Sequence, residues 1–291
     1  MNEPAPPARF GVEALFVVSA VSQYVGAAIA VELFDEVAPR TVAWLRVLGA
    51  TIALLAVSPG FHRGWTRRAL AGAALFGIAT ALMNLFFYLA IDRLALGSSV
   101  AIEFVGPIAV AAAMTRTRRN AIALTVAGAG VLTLGGLEIG DNLTGLVFVL
   151  LASAMWALYI VVGSRVANVR SGVAGLAVGL AIGTVVLTPV GAPGSGHVWT
   201  SAGLLALCLL TGVFSNAIGY GIDQYVLRRI PVRRFSVLLA TLPMTAVAVG
   251  WIALGQQPGP AEGVGIALIL GAIALQERES LNDAELLPEP G

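Results

Sequence analysis

Apolar residues run through this chain in long blocks, and nearly all of the charge falls in the short connections between them. Ten blocks can be drawn, at 11–33, 37–57, 69–91, 97–115, 120–137, 143–163, 171–190, 202–226, 233–254 and 261–276. Most approach the roughly 20 residues that carry an apolar helix across hydrocarbon. Polar and apolar residues do not alternate within a block, so barrel strands do not fit. Lipid offers the backbone no hydrogen-bond partner, so each block is read as a helix. The expected fold is an all-α membrane protein with ten transmembrane helices. Ala28, Ile29 and Ala30 loosely resemble a leader cleavage site. The block is long for a leader, though, and only Arg9 precedes it, which favours a retained first helix.

Composition supports a lipid solvent. The 291 residues are 58% hydrophobic and 11% charged, with a mean hydropathy of +0.88. Soluble domains carry about 25% charged residues. The blocks use up nearly the whole chain and leave no room for a separate soluble domain. Residues 1–10 read as a disordered tail, and residues 277–291 as an acidic, solvated one.

All 17 cationic side chains are arginines. Short loops rich in Lys and Arg stay cytoplasmic. With the N-terminus inside, the interior connections hold Arg63, Arg67, Arg68, Arg116, Arg118, Arg119, Arg165, Arg170, Arg228, Arg229, Arg233 and Arg234. Arg9 and Arg278 fall in the interior tails. The exterior connections hold Glu32, Asp35, Glu36, Glu138, Asp141 and Glu262, with Arg40 and Arg93 as their cations. The expected location is therefore the plasma (inner) membrane, multi-pass, with both termini cytoplasmic.

Residues 11–137 and 143–276 read as two copies of one five-helix unit. Ser19 between Val18 and Ala20 matches Ser153 between Ala152 and Ala154 in depth. Pro107 and Pro243 fall within the fourth and ninth blocks, where each is expected to kink its helix. Five spans is an odd number, so the second copy must insert upside down. The charges agree: the interior connection after the second block is basic, whereas its counterpart, Gly191 to Thr200, has no arginine. Inverted repeats of this kind build alternating-access transporters with a site near the midplane.

Five stretches carry a resemblance. They are TVAWLR from Thr41 to Arg46, MNLFFYLA from Met83 to Ala90, GSSVAIEFVGP from Gly97 to Pro107, MWALYI from Met155 to Ile160 and RIPVRRF from Arg229 to Phe235. The chain resembles the EamA-type transporters of the drug/metabolite transporter superfamily, and within them the bacterial inner-membrane threonine/homoserine exporter group. The resemblance implies ten helices in inverted repeats and export of small metabolites such as amino acids. The family's ninth span has Glu-Pro and ends in Gly-Glu; here those positions are Leu242-Pro243 and Gly255-Gln256.

Candidate site residues are polar groups inside the blocks. Glu103 lies one turn before Pro107, and a proline frees the carbonyl one turn earlier. An ionisable group in hydrocarbon costs about 2.5–3.5 kcal/mol and faces a cavity or a partner. Glu103 is thus a candidate proton-coupling or amine-binding carboxylate, with a structural ion pair as the alternative. Arg46 cannot lose its charge. It is expected to bind a substrate carboxylate, to hold Glu103 ionised, or to snorkel to the interface. Asn84 with Tyr88, and Asn216 with Tyr220, are pairs one turn apart that suit either a zwitterion or interhelical bonding. Gln23, Tyr24 and Tyr159 are expected to line the same cavity, while Trp156 reads as packing. Gly175, Gly179 and Gly183 form a small-residue stripe for tight packing in the bundle or in a homodimer.

Several function classes find no support. The single cysteine, Cys208, precludes an intrachain disulfide, and His62 and His197 fall on opposite faces. The sequence holds no phosphate loop, nucleophile elbow, metal-ligand cluster or basic aromatic patch. No cofactor, metal, nucleic-acid partner or enzymatic activity is expected. The expected function is secondary transport of a small polar metabolite, with proton coupling through Glu103. A lipid flippase or a non-transporting sensor is the alternative, and an intramembrane enzyme stands behind both.

Overall fold

The computed structural model describes residues 10–58, 65–115, 117–138, 142–166, 172–219 and 241–285, together with Ile222, Val226 and Leu238. The described residues are helical, and no strand occurs among them. In chain order they form α1 (Phe10–Leu33), α2 (Pro39–Ala56), α3 (Arg67–Ile91), α4 (Leu96–Glu103), α5 (Val105–Thr115), α6 (Arg118–Glu138), α7 (Leu143–Val166) and α8 (Gly172–Gly191). The short α9 (Gly196–Thr200) leads into α10 (Ala202–Gly212), which continues as a π-helical segment, Val213–Gly219. Helices α11 (Thr241–Leu254) and α12 (Pro260–Glu285) complete the set.

Among the described residues, six helices are long and apolar enough to cross a membrane: α1, α2, α3, α7, α8, and α10 joined to its π segment. Leu96–Val110, Thr241–Leu254 and Pro260–Leu275 are shorter apolar helices. The protein is a multi-pass, all-helical membrane protein. Its outward surface carries large apolar side chains such as Val185, Ile252 and Leu132, which lipid solvates.

The predicted fourth block, 97–115, is two helices rather than one. Helix α4 ends at Glu103, Phe104 forms a turn, and α5 restarts at Val105. Pro107 has no N–H to give to residue 103, so the ladder opens there. The break falls at Phe104, within one turn of Pro107. Pro243 lies in α11, and the two residues just before Thr241 fall outside the described ones. Helix α12 passes the predicted end at 276 and runs to Glu285. Gln276, Glu277, Arg278 and Glu279 are strong helix formers that water can solvate.

Close approach between helices depends on small residues. On α8, Gly179 and Gly183 pack against Ala73, Gly77 and Ala81 of α3, and a Cβ on Gly183 would lie 2.7 Å from the Gly77 carbonyl oxygen. The glycine stripe thus serves packing inside the bundle, except at Gly175, which has nothing within 4 Å. Polar bonds reinforce the neighbouring α2–α8 seam. Thr41 donates to the Gly191 carbonyl at 2.8 Å, and the Trp44 indole donates to the Thr184 carbonyl at 3.2 Å. Helix α3 also packs on α7, α2 on α10, α1 on the π segment and α11, α4 on α11 and α7, and α6 on α12.

Candidate functional site

Arg46 is the centre of a buried polar cluster. It lies seven residues into α2 from Pro39, about 10 Å of helix rise, and is 6% exposed. Its Nε donates to Asn216 Oδ1 at 2.7 Å. Its guanidinium carbon stands 4.8 Å from the centre of the Tyr88 ring, a cation–π contact. So α2, α3 and the π segment meet at one side chain. The backbone allows this because Gly212 sits directly against the Arg46 carbonyl.

The π segment presents Asn216, and α1 holds that segment. Ser19 donates to the Gly219 carbonyl at 2.9 Å, and Ser22 to the Phe214 carbonyl at 2.8 Å. In return Ser215 donates to the Gln23 carbonyl at 2.9 Å. A π turn displaces carbonyls from the regular ladder, and the α1 serines bond the carbonyls at its two ends. Gln23 Nε2 itself donates to Ser19 Oγ at 3.1 Å, and Gln23 packs on Gly219. Gln23 therefore buttresses the segment.

Glu103 is the last residue of α4. It is 8% exposed and makes no hydrogen bond among the described residues. Glu103 and Arg46 are not in ion-pair contact; among the described residues the ion pair that forms is Arg93 with Asp92, at 2.7 Å. Arg46 bonds an amide instead.

Three polar atoms of this cluster are buried without a hydrogen-bond partner among the described residues: Arg46 Nη1, Asn216 Nδ2 and the Tyr88 hydroxyl. A buried polar group left unpaired costs about 1–3 kcal/mol. Such a concentration marks a place where a polar guest would be stabilised.

The other sequence candidates divide. Asn84 is 2% exposed and gives its Nδ2 to the Thr80 carbonyl of its own helix at 2.7 Å. Tyr24 is buried on α1 at 8% exposure. Tyr159 stacks on Phe76 at 4.5 Å. Phe76 precedes Tyr88 by three turns of α3, about 18 Å, so Tyr159 belongs to another level of the bundle. Trp156 packs edge-on to Phe104 at 4.8 Å, beside Glu103. Tyr220 lies outside the described residues.

Comparison with known proteins bears on what this cluster belongs to. Residues 143–276 match the EamA-like transporter family. The threonine/homoserine exporter RhtA of Salmonella typhimurium (strain SL1344) is 34% identical over 234 residues, 79% of each chain. Its namesake in Escherichia coli (strain K12) is 31% identical over 250 residues, 85% of this chain and 84% of its own. This chain belongs to the EamA-like transporter family. A solved crystal structure at 16% identity superimposes with a TM-score of 0.61 over 92% of this chain and 98% of its own, which is a likeness of fold.

Sequence reading of this EamA-like transporter missed the serines that carry the π segment. Ser19 was visible only as a repeat marker. Ser22 and Ser215 are small and common in membrane helices, and nothing in their spacing says that they face each other across 192 residues of chain.

Proposed function

We propose that this chain is a secondary transporter that exports small amino acids, threonine and homoserine among them, by alternating access. The observation that carries the reading is the set of unpartnered atoms around Arg46. Arg46 Nη1 and Asn216 Nδ2 are both donors, suited to a carboxylate. The Glu103 carboxylate, which makes no hydrogen bond among the described residues, suits an ammonium group or a proton. The Tyr88 hydroxyl can give or take a bond with a side-chain hydroxyl. A zwitterion with a hydroxylated side chain answers every one of these groups, and the names of the relatives point the same way.

Stabilisation by ligand tests this. A ligand at 100 times its Kd raises stability by about 2.7 kcal/mol. Threonine and homoserine are expected to raise the Tm of the purified protein. Threonine amide, which lacks the carboxylate, and N-acetylthreonine, which lacks the ammonium, are expected to leave it unchanged. Equal shifts with all four compounds, or none with any, would overturn the zwitterion site.

The proposed architecture is ten spans in two inverted repeats, 11–137 and 143–276, with both termini cytoplasmic. Exchange each span with the one five later, and several of the packing pairs return. The α1 contact with the π segment becomes the α7–α3 contact, and α1–α11 becomes α7–α4. Likewise α3–α8 becomes α10–α2, while α2–α8, α4–α11 and α6–α12 map onto themselves. The family match covers 143–276, the second of these repeats. In a Cys208→Ser background, Thr200→Cys is expected to react with an impermeant maleimide on intact cells. Reaction only after lysis would reverse the orientation.

A further inference from the structure

We propose that Gln256 is a positioning residue for Glu103, acting from the second half of the chain through the short helix α4. The first N–H groups of any helix lack intrahelical partners. Helix α4 has Ala95 at its N-cap, which offers no side-chain bond. The acceptor comes from elsewhere: the Leu96 N–H donates to Gln256 Oε1 at 2.9 Å, across 160 residues of sequence. Glu262 adds a second tie, pairing with the Ser98 hydroxyl through Oε1 and accepting from the Gly259 N–H through Oε2 at 3.3 Å. The connection between α11 and α12 thus clasps the first turn of α4.

Local structure aims the Gln256 side chain. Gly255 has φ +66°, in the left-handed region that glycine adopts without a steric penalty. The chain folds back there, and the Gln256 N–H donates to the Gly250 carbonyl at 3.0 Å. Gly250 leaves room for the amide, because a Cβ on it would lie 2.9 Å from Gln256 Oε1. Gly97 lets α4 lie against α11, where a Cβ would meet Val247 Cγ2 at 2.6 Å.

Helix α4 has eight residues, from Leu96 to Glu103. All eight are buried, and Phe104 after them keeps helical dihedrals. A helix of about two turns is rigid, so the clasp on its first turn helps set the register at which its last side chain is held. Gln256 therefore governs Glu103 without touching it.

Modification of Glu103 by a hydrophobic carbodiimide, read by mass spectrometry of its peptide, tests the placement without relying on any substrate. Gln256→Ala is expected to change the modification rate about fivefold, the change in equilibrium that loss of a helix cap brings. Gln256→Glu keeps an acceptor and is expected to restore the wild-type rate. If the alanine variant fails to fold, Gln256→Asn shortens the reach by one methylene and serves instead. An unchanged rate in a folded variant rejects the positioning role. The functional importance of this placement rests on Glu103 serving transport. A changed rate with unchanged threonine flux in proteoliposomes keeps the clasp and rejects that reading of Glu103.

Discussion

Arg46→Ala lowers the affinity for threonine in proteoliposome counterflow by at least about 100-fold, about 2.7 kcal/mol. Truncating one side of a buried, hydrogen-bonded charge contact costs about 2–5 kcal/mol, and this side chain serves several partners at once. Its Nε is committed to Asn216, its face to Tyr88, and its Nη1 is left for the guest. Arg46→Lys separates charge from geometry. An ammonium is a point charge, whereas the guanidinium is a rigid fork that holds Asn216 with one arm and offers another. The lysine variant is expected to recover no more than about a tenth of the wild-type affinity. Wild-type affinity in the lysine variant would show that the fork has no role.

Glu103→Gln uncouples flux from the proton gradient. In wild-type proteoliposomes an imposed pH gradient is expected to drive threonine against its concentration gradient. In the glutamine variant that driven component falls to background, while exchange of threonine for threonine persists where the ammonium still finds the amide oxygen. Glu103 is the acidic side chain that the described membrane helices bury, it makes no hydrogen bond among the described residues, and it ends helix α4. A glutamine fills the same volume but cannot take up a proton. Gradient-driven accumulation equal to that of the wild type would remove Glu103 from the coupling step.

The two residues differ in how they could be found. Glu103 was legible because its signal is local. A carboxylate one turn before a proline defines a charge and a helix break on one stretch of chain, and the break occurs at that residue. Arg46 was legible as an anomaly, a permanent charge within an apolar block. Its partner was not. Residue order left a substrate carboxylate, Glu103 and the interface as alternatives for its charge. The structure gives Asn216, 170 residues away, presented by a π segment that no composition signal announces. Asn84 and Tyr88 shared one motif and diverged, the first bonding within its helix and the second facing Arg46. Gln256 read as the loss of an acid, and only its contact with Leu96 reveals the amide as a cap.

Hydropathy belongs to one segment at a time, and so does the cost of an exposed peptide group in lipid. Those two quantities decided, from residue order alone, that lipid is the solvent of this protein and helix its secondary structure. They could not decide which faces of the helices meet. The rotation and depth of each helix follow from packing against several others at once, through contacts such as Gly77 on Gly179 and Gly212 on Arg46. The polar cluster exists only after those contacts are made, so its membership was a tertiary decision.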